Sequence, residues 1–193
     1  LSKRTLPFSG GTWADLKMGV VWYALLFFST IFSLRAQPEP TLEYKVKAVF
    51  LFNFTQFISW PESAFTNVDS PLVIGVLGEN PFGTYLRETV AGEKIGSHPI
   101  VVEQYPELKD IKPCHILFID PDFNHSLKEV PILTPNRGVL TVSDSPNFIK
   151  QGGMIRFYTV NSKIRLVINP EPARRAGLTI SSKLLRLADI HVQ

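Results

Sequence analysis

Apolar positions along this chain follow three patterns, and each predicts a different element. Between Thr41 and Pro61, Leu42, Val46, Val49, Phe50, Phe54 and Phe57 recur at steps of three and four residues, the period of one helix face. Thr41 is suited to cap that helix, and Pro61 ends it by restricting Trp60. Phe52 and Ile58 lie off the stripe, so the helix is expected to bury a second side as well, against a partner in addition to the sheet.

The second pattern is the short continuous run. "PLVIGVLG" (71–78), Ile100 to Tyr105, "CHILFID" (114–120) and "GVLTVSD" (138–144) are the length of buried strands rather than helices. Between them, "ENPFGTYLRETVAG" predicts a loop and a helix with Phe82, Tyr85, Leu86 and Val90 inward; "PDFNHSLKEV" (121–130) predicts a short helix, and "SPNFIKQGG" a helical turn closed by glycines. "MIRFYTVNSKIRLVIN" predicts a hairpin turning at Asn161-Ser162, with strands 154–160 and 163–169. Asn169 then caps a short helix with Pro170 in its first position, and Gly177 ends it. "LTISSKLLRLADI" predicts a last amphipathic helix with Ile180, Leu184, Leu187 and Ala188 inward. This order, a helix, then β-α-β-β-α-β, then a hairpin and a helix, predicts a single α/β domain. Its sheet is mixed but mostly parallel, flanked by helices, with a C-terminal hairpin and helix.

The third pattern is one long apolar run, 18–34, preceded by Lys3, Arg4 and Lys17 and followed by Arg35 and Ala36. A basic stretch, an apolar core and a small residue form the layout of a secretory signal. Residues 1–36 are therefore expected to be a leader cut after Ala36, or else an uncleaved anchor, with 37–193 as the exported domain. Charge supports the division. The leader holds Lys3, Arg4, Lys17 and Arg35 against Asp15, and the remainder is left with 16 basic and 16 acidic residues. The basic balance of the whole chain thus belongs to the leader, and nucleic-acid binding is excluded as a reading of it.

Candidate chemistry is sparse. The glycines of "VIGVLGENPFG", at 75, 78 and 83, match neither dinucleotide nor phosphate-loop spacing, so no cofactor is expected. Cys114, the single cysteine, and His115 are neighbours on a strand and face opposite ways, which argues against a nucleophilic dyad. Cys114 is expected to be a buried hydrophobe. The other histidines, His98, His125 and His191, are scattered and predict no metal site. Ser143, Asp144 and Ser145 form a polar cluster of the kind that caps helices, and no catalytic residue is assigned. Arg174 and Arg175 fall in the last turn of the short helix after Asn169, where cations are favoured. They are either surface arginines that stabilise that turn or contacts for an anionic ligand or an acidic partner.

Taken in order, "YKVKAVFLFNFTQFISWP", "IGVLGENPFG", "CHILFI", "GVLTVSDSPNFIKQGGMIRF" and "INPEPARRAGLTISSKLLRLA" resemble the YfiR-like periplasmic regulators, across 41 to 190. The resemblance implies a non-enzymatic, homodimeric periplasmic protein without cofactors. It implies one that represses an inner-membrane signalling protein, such as a diguanylate cyclase, by binding its periplasmic region. Such a regulator is itself sequestered by an OmpA-like outer-membrane lipoprotein, which links envelope signals to cyclic-di-GMP and biofilm formation. The characterised regulator carries further cysteines, whereas Cys114 stands alone here, so an internal disulfide is not expected.

Two functions of different class follow. In a regulatory binding protein, Glu171, Arg174 and Arg175 are the expected polar anchors for the partner. In a small-ligand sensor acting on a histidine kinase or a TonB-dependent receptor, a pocket is expected at the switch point of the sheet, near Gly78 to Gly83.

Overall fold

The computed structural model describes residues 39–123 and 138–191. The leader 1–36 and the 124–130 part of the short helix expected after "CHILFID" lie outside the described residues. The described elements run α1 (Leu42–Phe57), β1 (Ile58–Ser59), β2 (Leu72–Leu77), α2 (Tyr85–Val90), β3 (Lys94–Ile95), β4 (His98–Tyr105), β5 (Ile116–Ile119) and β6 (Leu140–Ser143). They continue with β7 (Ile155–Val160), β8 (Lys163–Ile168), α3 (Pro170–Arg175), β9 (Thr179–Ile180), α4 (Ser182–Leu185) and β10 (Asp189–Ile190). Eight strands form the main sheet in the order β10-β8-β7-β6-β5-β2-β4-β3.

Its centre, β4-β2-β5-β6-β7, is parallel. Antiparallel pairing enters at both sides, through β3 on β4 and β8 on β7. The chain leaves β2 for β4 on one side, then crosses to β5 on the other. The switch point therefore lies at the carboxyl ends of β2 and β5.

All six residues of β2 and all four of β5 and of β6 are buried, which explains why these strands read as unbroken apolar runs. Their alternate side chains feed two cores. Leu72, Ile74, Val76, Ile116, Phe118, Leu140 and Val142 pack with Leu51 and Phe54 of α1 and Leu86 and Val90 of α2. On the other face Val73, Leu77, Leu117 and Ile119 pack with Tyr105, Cys114 and Phe148. Cys114 is buried, as expected, and burial pushes its thiol up to about 12. The β7–β8 hairpin turns at Asn161 and Ser162, whose φ angles of 50° and 59° are those of a two-residue primed turn.

Three expectations need correction. The face that α1 turns to the sheet carries Lys47, Ala48, Leu51, Phe54 and Thr55. Of the expected stripe, Phe54 is buried and Phe50 and Phe57 are half-buried, but Val46 and Val49 are exposed and Leu42 is 78% exposed. The helix is apolar nearly all round, so periodicity could not choose the inner face. Asp144 caps no helix. It accepts from Lys47 Nζ at 2.5 Å and from Tyr44 Oη at 3.0 Å, while residues 146–152 form turns.

The last amphipathic helix shrinks to the four residues of α4, capped by Ser181, whose Oγ accepts from Leu184 N. Thr179–Ile180 instead pairs antiparallel with β1, and Asp189–Ile190 adds to β8 as an edge strand. Leu187, expected inward, is 67% exposed. These pairings join segments far apart in the chain, and they override local helix periodicity.

The Lys47 side chain is 3% exposed and also meets Glu43 Oε1 at 2.7 Å, which holds the Glu43 carboxyl below its usual range. Removing one partner of a buried pair strands the other charge, at a cost of about 3–5 kcal/mol. Lys47→Met is therefore expected to lower the unfolding free energy by roughly that amount, read as a shift in the denaturant midpoint. An unchanged midpoint would show that the pair does not hold α1 in place.

His115 is a second buried polar group. Its Nδ1 accepts from Val73 N at 3.0 Å, which puts the ring proton on Nε2. That nitrogen is buried without a full hydrogen bond, and the Ala64 backbone compensates only in part. Phe65 stacks on the ring at 4.5 Å between centroids, with His98 on the other side of Phe65 at 3.8 Å. Burial, the largest cause, lowers the His115 pKa from 6.5 to about 4. The neutral ring is thus favoured in the fold. Its contribution is complete above pH 6.5 and is lost as pH falls from there towards 4. Unfolding free energy is expected to drop between pH 7 and pH 5, and His115→Gln, which keeps an acceptor for Val73, is expected to flatten that slope. A slope unchanged by the substitution would move the effect to another group.

Candidate functional site

The C-terminal clasp, residues 169–187, is built from short-range hydrogen bonds. Asn169 Oδ1 accepts from Glu171 N at 3.4 Å and Pro170 occupies the first turn, so α3 starts where the sequence places it. Gly177, with φ +79°, ends it in the left-handed conformation that favours glycine. Leu178 N then donates to Ala173 O and Ser181 N to Phe57 O, both at 2.9 Å. The second bond fastens the clasp to the end of α1.

All three expected anchor residues lie together on α3. Arg174 reaches Glu171 Oε2 with NH2 at 2.7 Å and Nε at 3.2 Å, and Arg175 NH1 reaches Glu171 Oε1 at 3.4 Å. One carboxylate is shared by two guanidinium groups, so the helix carries one surplus positive charge. Glu171 in the first turn and the arginines in the last complement the helix dipole. Exposed pairs of this kind add about 0–1 kcal/mol.

Beside this pair lies an open groove of about 400 Å³, lined by Pro170, Glu171, Arg174, Leu178, Thr179, Ile180 and Leu185. Sequence reasoning assigned Ile180 to a helix face and did not foresee the groove. The one available signal was the β-branched pair Thr179-Ile180, which favours a strand. The groove sits at the amino-terminal edge of the parallel strands, because Asn169 N donates to Met154 O just before β7.

The opposite edge holds the switch point, where the alternative ligand pocket was expected. There Gly78 has φ +89°, and a Cβ on it would stand 2.9 Å from the Asp120 Cβ and 3.0 Å from the Phe123 ring. Asp120 Oδ2 accepts from Glu79 N at 3.1 Å and Oδ1 from Asp122 N at 3.3 Å. Burial raises the Asp120 pKa. Tyr44 and Asp144 stand on the same edge, and burial together with the Asp144 charge raises the Tyr44 pKa. Among the described residues, the Asp120 carboxylate and the Phe123 ring thus pack against the Gly78 turn.

Among the described residues Cys114 and His115 are not brought together as a nucleophile and base. Cys114 lies in one core, and His115 meets Trp60 edge-on and stacks with Phe65, which pack against the other. Among the described residues no group of three or more His, Cys, Asp or Glu is placed to hold a metal ion.

Comparison with known proteins gives one family. The model of a family described as YfiR/HmsC-like matches residues 44–189. Among solved structures, a conserved domain protein from Vibrio cholerae O1 biovar El Tor strain N16961 is similar, with a TM-score of 0.47 and 14% sequence identity. The match covers 76% of this chain and 59% of that protein. No curated protein matches the chain.

Proposed function

The chain belongs to the YfiR/HmsC-like family of non-enzymatic periplasmic regulators, and from that premise we propose that it represses an inner-membrane signalling protein by binding its periplasmic region. The partner in this reading is a diguanylate cyclase, so that envelope signals reach cyclic-di-GMP through release of the repressor. Repression requires only that the regulator bind the inactive state of the partner more tightly than the active one. Such repression needs no chemistry.

The observation that carries the reading is the clasp. Glu171, Arg174 and Arg175 are held on a capped, hydrogen-bonded helix, and Glu171 and Arg174 line an apolar groove, the combination of rigid anchor and charged rim found in protein interfaces. The leader is part of the proposal, since it would deliver residues 37–193 to the periplasm. So is a homodimer, which the exposed Leu42, Val46 and Val49 of α1 support. An OmpA-like lipoprotein is the proposed opponent that sequesters the regulator.

The test is binding of this protein to the periplasmic region of the cyclase, compared with Arg174→Glu combined with Arg175→Glu. The double variant is expected to fold normally and to bind at least about tenfold more weakly, a difference of roughly 1.4 kcal/mol. Equal affinity in the folded variant would remove these residues from the interface, and absence of binding by the unaltered protein would overturn the reading.

A further inference from the structure

We infer that the groove beside α3 receives a segment of the partner protein in which a large apolar side chain is flanked by carboxylates. This rests on the reading above and adds the chemistry of what the regulator grips.

The lining selects an apolar insert. Pro170, Leu178, Ile180 and Leu185 supply the walls, and Thr179 adds one small polar group. A volume of about 400 Å³ accommodates one or two large side chains and lies within the usual size of binding clefts. The walls are also preformed. Asn169 caps α3, Ser181 caps α4, and Thr179–Ile180 is paired with Ile58–Ser59, so little ordering entropy remains to be lost on binding. Such a lining offers few polar groups to orient a small polar metabolite.

The rim selects the flanking charge. Residues 170–187 contain four basic side chains, Arg174, Arg175, Lys183 and Arg186, and one acidic one, Glu171. The two arginines share that single carboxylate. Lys183 and Arg186 are exposed and form no ion pair among the described residues. The chain from 37 to 193 taken whole carries 16 basic and 16 acidic residues, so this excess is local. An incoming carboxylate can take guanidinium donors that Glu171 leaves free and can remain half-solvated at the rim, where a charge is not stranded in an apolar interior. A lysine-flanked segment would meet Arg174 in the groove lining and the net positive charge of residues 170–187.

The measurement is fluorescence anisotropy of three labelled peptides against the purified protein: Glu-Glu-Leu-Phe-Glu-Glu, Lys-Lys-Leu-Phe-Lys-Lys and Glu-Glu-Gly-Gly-Glu-Glu. The first is expected to bind saturably below about 1 mM, more weakly as salt rises, and the other two not to bind in that range. Lys183→Glu together with Arg174→Glu is expected to weaken the first peptide at least about tenfold. Thr179→Trp, which fills the groove from its exposed side, is expected to do the same while the melting temperature stays unchanged. Failure of the first peptide to bind, or equal binding of the lysine peptide, overturns the inference. The cyclase region is titrated on the same sample. If it binds and the peptides do not, the groove chemistry is wrong and the repressor reading stands; if only the peptide binds, the groove stands and the choice of partner falls.

Discussion

Lys47 and Asp144 join two segments 97 residues apart in the chain, and the placing of α1 on the sheet depends on them. A helix apolar on nearly all sides could lie on a buried sheet in several rotations. Burying an amine beside one carboxylate removes that freedom, because any other rotation strands a charge in an apolar layer. The pair also draws Tyr44 and Glu43 to the carboxyl edge of the parallel strands. From there α1 runs to the opposite edge, where β1 fastens β9 and with it the whole clasp. The outer rotation of the same helix leaves Leu42, Val46 and Val49 exposed.

The groove beside α3 lies away from the usual ligand-binding edge of an α/β sheet. Ligand chemistry ordinarily collects outside the carboxyl ends of the strands at the switch point. Here that turn holds Asp120 and Phe123 packed on Gly78, with Tyr44, Lys47 and Asp144 joined to one another nearby. The open groove and the surplus charge lie at the other edge, on α3 and the strand that follows it. A regulator that works by occupying or releasing a partner is well served by such a division. At one end of the sheet Asp120 and Phe123 pack on Gly78, and the other presents an apolar slot with Glu171 and Arg174 in its lining.

Much of the fold was legible because its signals are local. Strands buried on both faces appear as short unbroken apolar runs, Asn161-Ser162 marks the hairpin, and Asn169, Pro170 and Gly177 bound α3 to the residue. What escaped depends on partners distant in sequence. Nothing near Asp144 shows that its partner is Lys47 rather than a helix end. Thr179–Ile180 and Asp189–Ile190 become strands only because β1 and β8 lie beside them. For the candidate site, the joint position of Glu171, Arg174 and Arg175 followed from helix spacing. The groove did not, since it exists only where β9 and α4 turn away from α3.

Hydrogen–deuterium exchange of the protein alone and with the periplasmic region of the proposed cyclase partner tests the central claim that the clasp is the gripping surface. The account predicts new protection concentrated in residues 169–187, with exchange at the Gly78–Asn80 turn unchanged. Protection at that turn with none in the clasp would contradict it and return the function to the switch point.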